Sequence, residues 1–285
     1  MKREIGRTGI SVHAIGFGAW PLSNVNRPSE EQALEVIARA VEAGVDLIDT
    51  ADAYCLDEHD FGHNERLIRK ALDAIGDRDA VTVATKVGSL RPGGDWTRCG
   101  RPEHIRKACE GSLERLGVET ITLYQLHAPD ENVPIEESVG AMRDLQEAGK
   151  VAHIGMSNFD LDQLERAQRE ARIESLQNQC NPWVRGDVDS GLVERCREMG
   201  VTYIAWYPVG GEIGHRACAS HPVLRELAAK YGASPYQLLL AWLLGLGDHV
   251  LPIPGATRVA SIQDSAKAAG LQVEPADLEA IGSLA

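Results

Sequence analysis

Apolar residues in this chain recur at two spacings that alternate along its length. Ala33, Val36, Ile37, Ala40 and Val41 share one face of a helix, and the apolar run Val45 to Ile48 follows almost at once, after Gly44. The same order of helix, glycine and short apolar run returns at Arg115-Leu-Gly117-Val118, Glu147-Ala-Gly149-Lys150 and Glu198-Met-Gly200-Val201. Glycine just past a helix adopts the left-handed conformation that closes the last turn. The runs that follow, Ile121 to Leu126, Val151 to Met156 and Val201 to Trp206, are short and apolar. Val81 to Lys86 and Leu176 to Gln179 fit the same alternation without the glycine. Short apolar strands alternating with helices predict a parallel sheet buried on both faces.

Strand starts near residues 13, 45, 81, 121, 151, 176, 201 and 249 number eight, the first strand running from His13 to Gly18. No Pro/Ser-rich linker interrupts them. The expected fold is an α/β (β/α)8 TIM barrel, one domain over residues 1–285. Arg3 to Val12, with a Thr8-Gly9 turn, reads as an N-terminal β-hairpin covering the barrel bottom, and Pro275 to Leu284 as an extra C-terminal helix. Little chain follows that helix, so a C-terminal lid is not expected. A doubly wound open sheet is the competing architecture, but its phosphate fingerprint is missing. Gly16-Phe-Gly18 leads into Pro21-Leu-Ser-Asn24, which does not open a helix. Gly18 is expected instead where two backbones approach closely at a strand end.

Composition narrows the function classes. With 44% hydrophobic and 25% charged residues the chain is ordinary globular material. A net charge of −13 disfavours non-specific contact with nucleic acid or an anionic membrane. The N-terminus, Met-Lys-Arg-Glu-Ile-Gly6, shows no signal peptide, and the longest apolar run, Leu238 to Leu246, is too short to span a bilayer. Six scattered cysteines without a C-x-x-C pair read as reduced thiols, and a cytoplasmic protein is expected.

Chemistry-bearing residues gather where the strands end. The second strand delivers Asp49, with Asp52 and Tyr54 in the loop beyond; the third ends at Lys86 and the fourth at His127. The fifth gives Ser157 and Asn158, the sixth Asn178 and Gln179, the seventh Trp206 and Tyr207. In a barrel these ends open into one mouth, where the chemistry of this fold occurs. Each residue alone has a plainer reading: Lys86 a solvated strand end, Asp49 a helix cap, His127 a satisfied histidine. Together, Asp, Tyr, Lys and His make a poor nucleophile system but a good acid–base one. A nearby ammonium would stabilise the Tyr54 phenolate and draw its pKa down toward neutrality, with Asp49 keeping Lys86 charged. His127 would orient a carbonyl or share the proton. Proton transfer at a carbonyl oxygen needs a hydride at carbon, which no side chain supplies and which implies a nicotinamide or flavin cofactor.

Six segments carry a resemblance: Ile48-Asp-Thr-Ala-Asp-Ala-Tyr54, Ala84-Thr-Lys86, Leu123-Tyr-Gln-Leu-His127, Ile154-Gly-Met-Ser-Asn-Phe159, Gln177-Asn-Gln-Cys-Asn181 and Pro252-Ile-Pro-Gly-Ala256. Over essentially its full length the chain resembles the aldo-keto reductase superfamily. The resemblance implies a TIM barrel and an NAD(P)-dependent interconversion of carbonyl and alcohol, with Asp49, Tyr54, Lys86 and His127 as catalytic tetrad. It implies that Ser157, Asn158 and Gln179 hold the nicotinamide carboxamide and that Trp206 stacks on its ring. The wider cofactor set expected on this basis adds Gly18, Ala19, Trp20, Asp49, Tyr207, Pro208, Gly210, Ile253, Gly255, Arg258 and Asp264. Trp20, Tyr54, Trp96 and His127 are expected to meet a small carbonyl or sugar substrate.

The chain departs from the family pattern in several places. Tyr207-Pro-Val-Gly-Gly211 stands where Ser-Pro-Leu usually follows the stacking aromatic, so the family's side-chain contact to the pyrophosphate is not carried over, and the Gly-Gly backbone is the candidate to take its place. Asp264-Ser265 stands for the Glu-Asn pair at the adenine, and Ser261 for the arginine that commonly holds a 2′-phosphate. Arg258, opening the last barrel helix, leans the expectation to NADP over NAD. The long loop Cys55 to Glu65 carries Cys, His and acids, yet its spacing matches no zinc pattern and reads equally as a solvated loop before a helix. Arg91, Arg98 and Arg101 with Trp96 make a basic, aromatic loop after Lys86. It reads either as a site for an acidic or sugar substrate or as a surface loop. Trp20 and Trp183 follow strand ends, where lining a pocket and packing a rim compete. Two other functions remain: a sugar or lactol dehydrogenase running oxidatively, and a cofactor-binding regulatory subunit. A metal-dependent barrel hydrolase lacks its His-x-His, since His13 stands alone.

Overall fold

The computed structural model describes residues 1–284, apart from the side chains of residues 212, 213, 215 and 216. β1 (Lys2–Glu4) and β2 (Ser11–His13) form an antiparallel hairpin. The barrel strands are β3 (Phe17–Gly18), β4 (Leu47–Asp49) and β5 (Thr82–Val87), then β8 (Ile121–Leu126), β9 (Val151–Ser157), β10 (Ile173–Gln179), β11 (Thr202–Trp206) and β12 (Val250–Pro252). Between them a two-stranded ribbon, β6 (Ser89–Leu90) and β7 (Thr97–Arg98), rises from the end of β5. All neighbouring barrel strands pair in parallel, in the order β3-β4-β5-β8-β9-β10-β11-β12.

The seam between β12 and β3 closes the (β/α)8 barrel. Gly16 N donates to Pro252 O (3.0 Å), Gly18 N donates to Pro254 O (3.1 Å), and Gly18 bridges Gly255. A Cβ on Gly18 would stand 2.8 Å from Ile253 O, so only glycine lets the last strand reach the first. This is the close backbone approach expected of Gly18. The first strand, however, is shorter than the expected His13 to Gly18. Ser11–His13 belongs to the hairpin, and the chain then bends, with Ile15 N donating to His13 Nδ1 (3.2 Å). Ala14 and Ile15 leave the ladder to pack against Leu240, Leu244 and Ala268.

Helices α1 (Glu30–Glu42), α2 (His63–Ile75), α3 (Pro102–Leu116), α4 (Ile135–Glu147) and α5 (Leu161–Glu170) follow successive strands. α6 (Gly186–Asp189) and α7 (Leu192–Met199) follow β10; α8 (Gly211–Ser220), α9 (Pro222–Tyr231) and α10 (Pro235–Gly245) follow β11. α11 (Val259–Lys267) follows β12, and α12 (Pro275–Gly282) is the extra C-terminal helix. The recurrent glycines 44, 117, 149 and 200 all have positive φ, as their place after a helix requires. α10 holds the longest apolar run and is buried almost all round, which fits an interior helix. Among the described residues no helix is long and apolar enough to cross a membrane.

The hairpin plugs one end of the barrel. Ile5 and Val12 pack with Leu47, Ala84, Leu123, Ile204 and Leu251, the lower layer of inward side chains. Arg3 threads between strand and helix, giving Nη1 to Gly247 O (2.6 Å) and Val250 O, and Nη2 to Leu244 O (2.7 Å). With that end filled, the opposite end is where an opening can form.

Candidate active site

Period-two alternation builds the site from the fold. Leu47, Ala84, Leu123 and Ile204 form the apolar layer, and two residues further on the same faces present Asp49, Lys86, Gln125 and Trp206. On β10 the residue two beyond Ser175 is Gln177. One step toward the barrel mouth therefore changes the interior from hydrocarbon to a polar layer.

Lys86 is fully buried at the centre of that layer. Its ammonium donates to the Asp49 carboxylate, to Thr50 O (3.0 Å) and to Tyr54 Oη (2.9 Å), which uses all three of its protons. Asp49 accepts from Lys86 on Oδ1, and on Oδ2 from Gln125 Nε2 (3.0 Å) and Gln177 Nε2 (2.7 Å). Isolated charges could not be buried here; the ion pair is tolerable because all three ammonium protons and both carboxylate oxygens have partners. The His127 ring stands edge-on to Tyr54, centroids 5.6 Å apart, and Trp96 stands edge-on to His127 at 5.7 Å.

These groups open onto a cavity of about 450 Å³. Its wall joins Asp49, Tyr54 and His127 to Gly18, Trp20, Ser157, Asn158, Trp206, Tyr207, Ile253, Gly255 and Trp96. Such a volume suits a small substrate beside one ring of a larger ligand. Trp206, Tyr207 and Trp20 form a chain of edge-on rings, at 4.8 Å and 5.9 Å. Asn158 is a locked element: its φ is 67°, its Nδ2 donates to His127 O (2.9 Å) and Ser157 Oγ (3.1 Å), and its Oδ1 accepts from Trp206 Nε1 (3.2 Å).

Electrostatics corrects one expectation. Burial, then the Asp49 carboxylate and Tyr207, hold the Tyr54 hydroxyl well above the usual phenol range. Lys86 does not draw it down, because Asp49 neutralises the ammonium and the pair presents little net charge to the phenol. Burial also lowers Lys86, against the pull of Asp49. His127 is depressed well below the usual imidazole range by burial and by the positive charges of Lys86 and Arg98. Both shifts favour the uncharged forms, a phenol at Tyr54 and a neutral ring at His127.

Other expected residues lie elsewhere. Ala19 is buried behind the wall. Gln179 lines the neighbouring cavity of about 540 Å³ with Asn178, Asp187 and Leu192, sharing only Asn158 and Trp206 with the first. Pro208 and Gly210 continue from Tyr207 toward the start of α8, outside the cavity wall. Asp264 has both oxygens engaged within the protein, accepting from Ser234 Oγ (2.5 Å) and Gln237 Nε2 (2.6 Å). The residues not foreseen are Gln125 and Gln177, although counting two from Leu123 and from Ser175 finds both. The Cys55–Glu65 loop is a tether. Asp60 takes Arg27 (2.5 Å) and Leu56 N (3.2 Å), His63 meets Ser23 Oγ (2.7 Å), and Glu58 accepts from Gly93 N (2.6 Å).

The chain beyond the cavity fits an elongated anionic cofactor. Tyr207, Gly210 and Gly211 all have positive φ and lead into the N-terminus of α8; Arg258 caps the N-terminus of α11. Helix N-termini present unpaired N–H groups and positive potential to phosphates. A side chain on Gly210 would stand 2.7 Å from Gly214 Cα, so the turn into α8 depends on glycine there.

Comparisons with known proteins agree with this geometry. A model of the Aldo/keto reductase family matches residues 14–285. A Glycine max protein described as "Probable aldo-keto reductase 1" is 34% identical, over 98% of this chain and 87% of its own length. A thermostable aldo-keto reductase solved with the inhibitor epalrestat superposes with a TM-score of 0.84 at 30% identity, covering 99% of each chain. An aldo/keto reductase from Klebsiella pneumoniae, in complex with NADP and acetate, gives 0.81 at 25% identity over 98% of this chain and 93% of that one. With the family matched from the first barrel strand to the C-terminus, this chain belongs to the aldo/keto reductases, NAD(P)-dependent oxidoreductases built on this barrel.

Proposed function

We propose that the protein reduces the carbonyl group of a small aldehyde or ketone, with Tyr54 as general acid and NADP(H) as the preferred cofactor. The observation that carries this reading is Lys86, buried and bonded at once to Asp49 and to the Tyr54 hydroxyl at the cavity wall. A bound nicotinamide would supply the hydride. The chain's own part is to place the carbonyl and deliver a proton. The neutral His127 ring orients the carbonyl oxygen, and Tyr54, held as a phenol, gives that oxygen its proton. Asp49 and the two glutamines keep Lys86 aimed at Tyr54 Oη. Ser157, Asn158 and Trp206 would flank the nicotinamide, the α8 turn its pyrophosphate, and Arg258 a 2′-phosphate. The Klebsiella relative's complex with NADP supports that preference.

A phenol with a raised pKa stays protonated at neutral pH, the form that a reduction needs. Oxidising a sugar or lactol needs the phenolate as base, so that direction should strengthen only toward alkaline pH. The test is a screen of aldehydes, ketones and sugars against NADPH and NADH, run with wild type and Tyr54→Phe. Turnover should fall about 10²- to 10⁴-fold in the variant, the usual worth of a positioned acid. Cofactor binding, read as quenching of tryptophan fluorescence, should persist. A Tyr54→Phe enzyme that keeps most of its activity would sink the assignment.

A further inference from the structure

The β6–β7 ribbon overhangs the cavity and is firmly held. Arg91, at the start of its loop, gives Nη2 to Leu56 O (3.0 Å) and Gly94 O (2.6 Å) and lays its guanidinium 4.3 Å from the centre of the Trp96 ring. Glu58 takes Gly93 N from across the mouth. The ribbon therefore presents Trp96 and Arg98 to the cavity wall as a built surface.

Among the described residues, Arg98 is the Lys or Arg side chain that lines the cavity wall. Nη1 donates to Ser89 Oγ (3.1 Å) and Thr97 O (3.3 Å), which orients the group, and no carboxylate pairs with it among the described residues. Among the described residues Nε and Nη2 have no hydrogen-bond partner, and they form the guanidinium edge with two parallel N–H bonds. Elsewhere in this protein the same edge grips a carboxylate: Arg166 Nε and Nη2 meet the two oxygens of Glu136 at 2.8 and 2.9 Å. Arg98 is near enough to His127 to depress its pKa. The cavity wall carries two charges, Asp49 and Arg98, and Lys86 cancels the first. A protein of net charge −13 thus has a reaction cavity that is net positive.

We infer that the substrate is a carbonyl compound bearing a carboxylate, and that the Nε–Nη2 edge of Arg98 binds that carboxylate while the carbonyl lies at Tyr54 and His127. The inference rests on the carbonyl-reductase reading for the position of the reacting carbon. It makes Arg98 a specificity-determining residue, acting on KM more than on kcat, since the carboxylate is bound alike before and during reaction.

The probes are 4-carboxybenzaldehyde and its methyl ester, equal at the reacting group and different in charge. Wild type should favour the acid by about 10-fold or more in kcat/KM, within the range of a charge-assisted bidentate pair. In Arg98→Gln the acid-to-ester ratio should fall to about 1, and Arg98→Lys should restore part of it, as a point charge without the fork does. Arg101→Gln, on the same loop but outside the cavity wall, should keep the wild-type ratio. Equal use of both probes by wild type, or an acid preference that survives Arg98→Gln, overturns the inference. If neither aldehyde is reduced with either cofactor, the reductase reading fails separately. Quenching of tryptophan fluorescence by the two probes then decides the anion site. Acid-selective quenching lost in Arg98→Gln supports it, and quenching indifferent to charge overturns it.

Discussion

Thr85 and Lys86 are neighbours on β5 and face opposite sides of the barrel wall. Lys86 turns inward to Asp49; Thr85 turns outward, giving its hydroxyl to Glu65 (2.6 Å), which also holds Arg115 Nε (2.5 Å). One strand therefore serves two ion pairs, each with a buried carboxylate and a tyrosine nearby. Inside, Tyr54 Oη is bonded to Lys86 and its ring reaches the cavity. Outside, the Tyr124 hydroxyl is sealed in with no hydrogen-bond partner among the described residues, and burial pushes its pKa far up. A buried ion pair is by itself weak evidence of function. What distinguishes the inner pair is a titratable group that touches both the cation and open space.

The first way to break the comparison is to remove each cation. Lys86→Met leaves Asp49 buried without its counter-charge and Tyr54 without its partner. Turnover should fall about 10²- to 10⁴-fold, as for loss of an acid–base group. Arg115→Met leaves Glu65 in the same electrostatic position, so thermal or urea unfolding should report a comparable kind of damage. Arg115 is partly exposed, so the loss should be about 2–3 kcal/mol, below that of a fully buried pair. Enzyme that remains folded should turn over within about threefold of wild type, since Arg115 touches nothing in the cavity. Equal loss of turnover in both variants would mean that the outer pair also shapes the site.

Much of this was legible in the sequence, for a definite reason. Asp49, Tyr54, Lys86 and His127 stand at or just past the ends of apolar runs, so counting strands brings them together. Gln125 and Gln177 are not legible in the same way because they lie inside their runs, where a polar residue is hidden among Leu123, Leu126 and Leu176. The length of β3 was not legible either. Ala14 and Ile15 are apolar enough to extend a strand, and only the packing of α10 against them shows that they leave it. Nor could the Tyr54 pKa be read, because it turns on whether burial or the ammonium wins. That balance depends on how closely Asp49 neutralises Lys86. The place of Arg258 at a helix start is visible in the sequence, whereas the closure of Asp264 onto Ser234 and Gln237 is a property of packing.

A smaller change sharpens the inner pair without breaking it. Gln177→Met removes the 2.7 Å donor to Asp49 Oδ2 and leaves Gln125 at 3.0 Å. Hydrogen bonds to charged groups are worth about 1.5–3 kcal/mol, and the remaining donor should limit the effect to about tenfold in turnover. If kcat is untouched while unfolding moves, Gln177 serves the fold and not the aim of Lys86.

The smallest effect concerns Asp52, on the outer side, and it grows with pH. Its side chain is fully buried, no other side chain hydrogen-bonds it among the described residues, and burial followed by the like charge of Glu65 raises its pKa well above the carboxylate range, against the pull of Arg115, the Ala53 backbone and Lys86. A carboxyl whose folded pKa exceeds its unfolded value, about 3.9, takes up a proton on folding. Its contribution to stability is fully present below the unfolded pKa and is lost as pH rises toward the folded pKa. Asn keeps the shape and cannot ionise, so Asp52→Asn should match wild type near pH 4 and exceed it increasingly up to neutral pH. For a chain of this size a gain of 1 kcal/mol is worth about 2 °C in Tm, and the shift should be of that order. Turnover should be retained, because the phenol served by Lys86 is Tyr54 and not Tyr124. A Tm difference that stays flat or turns negative with rising pH would mean that Asp52 is ionised in the folded protein. Arg115 and Lys86 would then stabilise it together, and the two ion pairs would be one electrostatic unit spanning the wall of β5.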